Sequence, residues 1–216
     1  MTALQPHLLC YGDSLTAGYT LQPGPSKSGY LQFDPWAPVL SAQLGVPCSH
    51  VGMSGWTVEQ MLRHKDEALT SSTDVCGLAK PGLSYLLQQE TPYHTVILMA
   101  GTNDLPSADT ADIVSNLRQL HKVCHSAGCK TVAVTIPQSW AEHADNSWAT
   151  KRRQVNRQLQ DFALGLPGRC LFVEMDLEVP YQEGGQDWES DGLHMSREGY
   201  HRFGVILAHK IREFVL

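Results

Sequence analysis

Short apolar runs alternate with longer amphipathic stretches from one end of the chain to the other. Leu8-Leu9-Cys10-Tyr11, Thr95 to Ala100, Thr131 to Ile136 and Cys170 to Val173 are almost continuously hydrophobic and rich in β-formers. Such runs mark strands buried on both faces of a parallel sheet, because a strand with one wet face would alternate apolar and polar residues. Cys48-Ser49-His50-Val51 is a weaker fifth strand. Between the strands, apolar residues recur at helical spacing: Ile113, Leu117, Leu120 and Cys124, then Val155, Leu159 and Phe162, then Tyr200, Phe203, Leu207, Ile211 and Phe214. Asp109 and Asp112 stand at the predicted start of the first helix, where its dipole favours negative charge. Gly128 stands past its end, where a left-handed cap is expected.

Strand, helix and strand repeated in this way require right-handed crossovers. The expected fold is therefore α/β, a three-layer α/β/α sandwich around a five-stranded, mostly parallel sheet. No internal repeat, low-complexity tract or linker interrupts the pattern, so residues 1–216 read as one domain. The Pro/Gly/Ser-rich piece from Leu21 to Ser28 reads as the most mobile loop. In open parallel sheets ligands bind beyond the carboxyl ends of the strands, so chemistry is to be sought just after each apolar run.

Charge and targeting features mainly remove partners. Sixteen Lys and Arg against 22 Asp and Glu leave a net charge of −6, which disfavours nucleic acid and anionic membranes. The longest apolar run, Val96 to Ala100, is strand-sized and far below a membrane span. Met1 to Pro6 has no basic n-region, Leu8-Leu9-Cys10 is too short for a signal core, and no asparagine begins a glycosylation sequon. The six cysteines sit largely in predicted core positions and read as reduced, core-filling residues, which suits a cytoplasmic setting. His121, Cys124, His125 and Cys129 invite a metal reading, but a helix C-terminus also attracts histidine and no second ligand pair stands at zinc spacing, so no metal is expected. No phosphate loop or Gly-x-Gly-x-x-Gly fingerprint is present, and no cofactor is expected.

Four polar blocks stand at the predicted rim. They are Gly12-Asp13-Ser14-Leu15-Thr16, Ser54-Gly55-Trp56-Thr57, Gly101-Thr102-Asn103-Asp104 and Asp191-Gly192-Leu193-His194. Their residue types suit acyl transfer. Ser14 supplies a hydroxyl that becomes a nucleophile once a base takes its proton, and His194 can be that base. Asp191 can accept from the other imidazole nitrogen, setting the tautomer and stabilising the imidazolium. A tetrahedral oxyanion needs donors, and the backbone N–H groups of Ser14 and Gly55 with the Asn103 amide can provide them, each typically worth about 3–4 kcal/mol. Each block by itself has a plainer reading as a capped turn, an Asx turn or a solvated loop pair.

In order and type the four blocks resemble those of the SGNH (GDSL) hydrolases, and they span the chain from residue 12 to residue 194. The resemblance implies the flavodoxin-like SGNH hydrolase fold, with Ser14 as nucleophile, His194 as base and Asp191 orienting it. It also implies an oxyanion hole of Ser14, Gly55 and Asn103. Members hydrolyse carboxylic esters, some thioesters and acetyl groups on sugars. Two departures are small: Gly52 also lies near the second block, and Met195-Ser196 follows His194 where a proline is common. No Gly-x-Ser-x-Gly elbow is present, which argues against the α/β-hydrolases.

Loops expected on the rim carry Tyr30, Phe33, Trp36, Trp56, Leu105, Trp140, Tyr181, Trp188 and Met195. Trp36 and about half of the others read as core. Trp56, Leu105, Trp140 and Met195 are the candidate substrate-binding residues, and an apolar wall built from them would suit short-to-medium acyl or aryl esters. His50, near the end of the second strand in chain order, is a further residue that could approach the site. The expected partner is a small-molecule ester. Thioester cleavage or acyl transfer on the same site is the alternative, and a non-catalytic binding module keeps the fold but leaves the intact blocks unexplained.

Overall fold

The computed structural model describes residues 5–21, 32–90 and 92–216. Of the predicted mobile loop only Leu21 falls inside this range, and Tyr30 lies outside it. In chain order the elements begin with β1 (Leu8–Gly12), α1 (Ser14–Ala17), β2 (Tyr19–Thr20), β3 (Gln32–Phe33), α2 (Ala37–Leu44) and β4 (Cys48–Gly52). They continue through α3 (Val58–Arg63), α4 (Leu83–Leu87), β5 (Thr95–Met99), a single 3₁₀ turn at Thr102–Asp104, α5 (Thr110–Ser126) and β6 (Lys130–Val134). The last are α6 (Ala141–Ala144), α7 (Asn146–Leu164), β7 (Cys170–Val173), α8 (Met175–Glu178) and α9 (Arg197–Val215).

Strands β4, β1, β5, β6 and β7 form one sheet in that order, and every pairing in it is parallel. All five runs of the sequence pattern are these strands, with no end shifted by more than two residues. Taken in chain order the sheet reads 2-1-3-4-5, the doubly wound arrangement in which the crossovers from its first and third strands leave in opposite directions. A crevice opens there, over the carboxyl ends of β1 and β5. Register puts those ends level, since Gly12 faces Gly52 on one side and Met99 on the other.

Alternate side chains of each strand feed two cores. Leu8, Cys10, Ile97, Met99, Val132 and Val134 point into a layer built with α2 and α9. Leu9, Tyr11, Val96, Leu98 and Ala133 point into the opposite layer with α3, α4, α5 and α7. Both faces are dry, which is why the strands read as continuous apolar runs. Trp36, expected in the core, is fully buried and donates its indole N–H to the Leu15 carbonyl over 3.1 Å.

The hairpin of β2 and β3, with Tyr19 opposite Phe33, lacked a visible signal because two-residue strands have no period to read. The short helices α3, α4, α6 and α8 were missed for the same reason. In α5, Gly128 follows the helix end with φ 83°, as its cap position required. His121 and Cys124 turn into the core, and His125 Nε2 lies 2.9 Å from Thr131 Oγ1. Burial pushes the His121 imidazole down to about 3, so this ring is a neutral packing element.

Candidate active site

The first block begins where β1 ends. Gly12 approaches β5 so closely that a Cβ there would lie 1.9 Å from the Met99 carbonyl oxygen, which leaves glycine as the residue that fits. Asp13 follows as the N-cap of α1, and its Oδ1 accepts the Leu15 N–H over 3.0 Å. This cap turns the chain from strand to helix in one residue, presenting Ser14 at the sheet rim. Ser14 itself is largely buried, 8% exposed.

His194 comes to Ser14 from the opposite end of the chain, with Nε2 3.0 Å from Ser14 Oγ. Its Nδ1 lies 2.7 Å from Asp191 Oδ2. The three-residue spacing of Asp191 and His194 serves a second purpose, because Asp191 Oδ1 accepts the backbone N–H groups of Leu193 at 2.9 Å and His194 at 3.0 Å. The carboxylate thereby holds both the backbone turn and the ring. Burial alone would raise its pKa, but the hydrogen bonds from the His194 ring and from these two N–H groups outweigh it and hold Asp191 below the ordinary carboxylate value. The Tyr19 ring lies against the imidazole, with centroids 4.7 Å apart. Tyr200 Oη donates to the Tyr19 carbonyl over 2.9 Å and anchors that residue.

On the other side of Ser14, Gly55 takes φ 75°, a left-handed conformation that a side chain would strain. Asn103 donates one hydrogen of Nδ2 to the Trp56 carbonyl over 3.0 Å, which fixes the amide and leaves its second hydrogen for a ligand. Asp104 accepts the Val58 N–H at 3.1 and 3.2 Å, tying this third block to the start of α3. Burial pushes the Asp104 carboxyl up to about 6.

Ser14, Gly55, Asn103, Asp191 and His194 all line one cleft of about 380 Å³. The remaining walls are Tyr19, Leu21, Val75, Cys76 and Leu193 with Ser54. Most of these were not singled out in the sequence. Val75 and Cys76 are delivered by Asp74, whose carboxylate accepts the Ser54 N–H at 3.1 Å and the Cys76 and Leu78 N–H groups at 2.9 Å each. The local signal was the tetrad Asp74-Val75-Cys76-Gly77, with Asp at the first and Gly at the fourth position of a turn.

The apolar candidates for substrate contact need correction. Trp56, Leu105 and Met195 are 3%, 4% and 1% exposed and belong to the two cores, outside the cleft lining. Met195 pairs across a bridge with Trp188, so it runs extended after His194 and its side chain turns the opposite way, into the core. Trp56 folds under the Asp74 turn, against His64. Trp140 is half exposed and lines a neighbouring cavity together with Asp191, Tyr181 and Trp188. Phe33 packs edge-on against Tyr19. His50 sits within β4, exposed and outside the cleft lining.

Residues 10–202 match the family model described as the GDSL-like lipase/acylhydrolase family. The chain belongs to that family. This GDSL-like hydrolase therefore acts on ester bonds. No curated protein matches it. Among solved structures it is similar to Est24, a carbohydrate acetylesterase from Sinorhizobium meliloti, with 21% identity over 97% of this chain and 99% of that one, at a TM-score of 0.69. The inhibitor-bound aryl esterase of M. smegmatis matches at 22% identity, 98% and 100% coverage and TM-score 0.68. The lipase/acylhydrolase of Enterococcus faecalis matches at 19% identity, 98% coverage of each chain and TM-score 0.68. At these identities the likeness shows the fold, and the hydrolase shares the α/β/α sandwich of all three. No helix among the described residues is long and apolar enough to cross a membrane.

Proposed function

We propose that this GDSL-like hydrolase is a serine esterase that cleaves carboxylic esters through an acyl-enzyme on Ser14. The observation that carries the reading is the run of contacts from Asp191 Oδ2 to His194 Nδ1 at 2.7 Å and from His194 Nε2 to Ser14 Oγ at 3.0 Å, inside the cleft at the sheet's carboxyl rim. In this reading His194 Nε2 takes the Ser14 proton as Oγ bonds to the ester carbonyl carbon. The resulting oxyanion is held by the backbone N–H groups of Ser14 and Gly55 and by the free hydrogen of Asn103 Nδ2. The imidazolium, stabilised by Asp191, then gives its proton to the departing alcohol oxygen. Water repeats the sequence on the acyl-enzyme and releases the acid.

The cleft volume of about 380 Å³ is near the lower end for ligand pockets, and with its Leu21, Val75 and Leu193 walls it supports short-to-medium acyl or aryl groups. Thioester cleavage or transfer to an alcohol would use the same residues. We also read residues 1–216 as one domain, supported by α9 packing on α2 and on β7. The six free cysteines fit a reducing, cytoplasmic setting.

A fluorophosphonate probe should label Ser14, and the label should vanish in Ser14→Ala. Turnover of an acyl-ester series from acetyl to long chain should vanish with it, and product analysis with a competing alcohol separates hydrolysis from transfer. Robust ester turnover by Ser14→Ala would overturn the reading.

A further inference from the structure

We propose that the cavity on the outer side of Asp191 is the subsite for the alcohol half of the substrate, and that it selects an alcohol carrying an alkylated ammonium group. The inference rests on the esterase reading above and adds a substrate class to it. The cavity measures about 500 Å³, and Trp140, Tyr181, Glu183, Trp188, Glu189 and Asp191 contribute to its walls. Asp191 lines both this cavity and the Ser14 cleft, so the two adjoin at that residue.

Reaction geometry assigns the alcohol to this side. The leaving oxygen has to receive its proton from His194 Nε2, so the group attached to that oxygen departs over the His194–Asp191 flank. Gly55, Val75 and Asn103 form a separate group in the same cleft, since Val75 lies where a Cβ on Gly55 would meet it at 2.4 Å and Asn103 is bonded to the Trp56 carbonyl.

The chemistry of the walls selects the charge. Three carboxylates border the cavity, and among the described residues its lining includes no Lys or Arg. Two arginines of the neighbouring helix α9 are paired with other carboxylates, Arg202 with Asp187 at 2.6 Å and Arg197 with Asp34 at 3.2 Å. The Glu189 carboxyl is pushed up by burial, with the charges of Asp191 and Glu198 adding to it and the Leu21 N–H and His194 opposing it. Tyr181 is pushed up by burial and then by Glu183 and Asp191. Among the described residues the carboxylates lining the cavity make its field negative, with His194 on the far side of Asp191 and His143 against Tyr181 at 5.5 Å between ring centroids. The aromatic walls are fixed in place. Trp140 donates its backbone N–H to the Gly192 carbonyl over 2.7 Å, and its side chain rests where a Cβ on Gly192 would come within 2.4 Å of it. Tyr181 meets Trp188 edge-on at 5.4 Å.

An aromatic face attracts a cation through its quadrupole, and adjacent carboxylates add to that attraction. A long acyl chain would instead desolvate three carboxylates, and an anion would be repelled. An alkylated ammonium gains from both kinds of wall, and its low hydration makes entry easier than for a primary amine.

The test uses the whole chain and has two arms. Titration calorimetry with tetramethylammonium chloride, against sodium chloride at equal ionic strength, should show saturable binding. Trp140→Ala should weaken it by about tenfold, and the isosteric Glu183→Gln should weaken it in the same direction if the indole variant misfolds. In the second arm butyrylcholine is compared with neohexyl butyrate, its neutral carbon isostere. The kcat/KM ratio should favour the choline ester by about tenfold and fall toward one in Glu183→Gln. Absence of saturable tetramethylammonium binding, or equal turnover of the two isosteres, overturns the proposal. So does a preference for sugar acetates that Trp140→Ala abolishes, which would make the cavity a carbohydrate site. Tetramethylammonium binding without fluorophosphonate labelling of Ser14 would instead remove the hydrolase reading and leave the cation site standing.

Discussion

Asp13 offers the sharpest test of how Ser14 is mounted at the rim. Its side chain is fully buried, Oδ1 caps α1, and Oδ2 finds no hydrogen-bond partner among the described residues. Burial pushes its pKa from the ordinary 3.8 up to about 7, with the charge of Asp104 adding to the effect, while the Leu15 N–H, the His194 ring and the Thr102 hydroxyl oppose it. The folded-state value lies above the unfolded one. The stability linked to this group is therefore fully present below about pH 3.8 and is lost as pH rises toward 7. Between those values the folded state holds a proton that the unfolded chain has released, so each pH unit costs about 1.4 kcal/mol and the whole span about 4 kcal/mol. Asp13→Asn keeps an oxygen for the Leu15 cap and removes the ionisation. Urea unfolding of both proteins at intervals from pH 4 to pH 8 gives the stability difference directly. That difference should move in favour of the Asn variant by about 4 kcal/mol across the range and flatten above pH 7. Contributions from other carboxyls largely cancel in the comparison. A difference that stays constant to within about 1 kcal/mol would refute the reasoning, and would mean that Asp13 is solvated or paired in a way its burial denies.

Three further outcomes follow from the same geometry. Asn103→Ala removes one donor of the proposed oxyanion hole and should lower kcat by about 10²–10³-fold with little change in KM, as steady-state kinetics on a short acyl ester would report; a loss confined to KM would place Asn103 in ground-state binding. Tyr19→Ala frees the His194 ring and should lower kcat by about tenfold, whereas Tyr19→Phe, which keeps the ring contact, should retain wild-type turnover; equal loss in both would assign the effect to the phenol oxygen. Arg152→Met leaves Glu142 and Asp176, each 2.5 Å from the guanidinium and 10% exposed, without their counter-charge. Thermal unfolding should fall by roughly 10 °C, reflecting about 3–5 kcal/mol; replacing both carboxylates by amides in the same protein should recover part of it.

Much of the fold was legible because its strands are dry on both sides. Leu8 to Tyr11 and Val96 to Met99 feed alternate cores with alternate residues, which leaves an unbroken apolar run to read. The three long helices showed their stripes for the complementary reason, one wet face each. Elements shorter than a period, such as β2, β3 and α3, left no such trace. Apolar rim residues misled because composition marks a side chain as apolar without saying which way its backbone aims it. Trp56, Leu105 and Met195 turn inward, and the cleft wall is made by Val75, Cys76 and Leu193 instead. Asp74, which builds that wall, was invisible as a functional residue because its work is to accept three backbone N–H groups contributed by Ser54, Cys76 and Leu78.

By itself the sequence determined the layer architecture and the four polar blocks, since hydrophobic period and turn chemistry are local properties written in neighbouring residues. It also determined the short range of Asp191 and His194, because a carboxylate three residues before a ring can bond both the turn and the imidazole. Only the tertiary structure decided that Ser14 Oγ meets His194 Nε2 across 180 residues, since that distance depends on parallel register levelling Gly12 with Gly52 and Met99 and on α9 packing back against α2. It alone decided, too, which apolar side chains line the cleft and that a second, acidic and aromatic cavity adjoins Asp191. Such facts arise where segments distant in the chain converge, and no local pattern carries them.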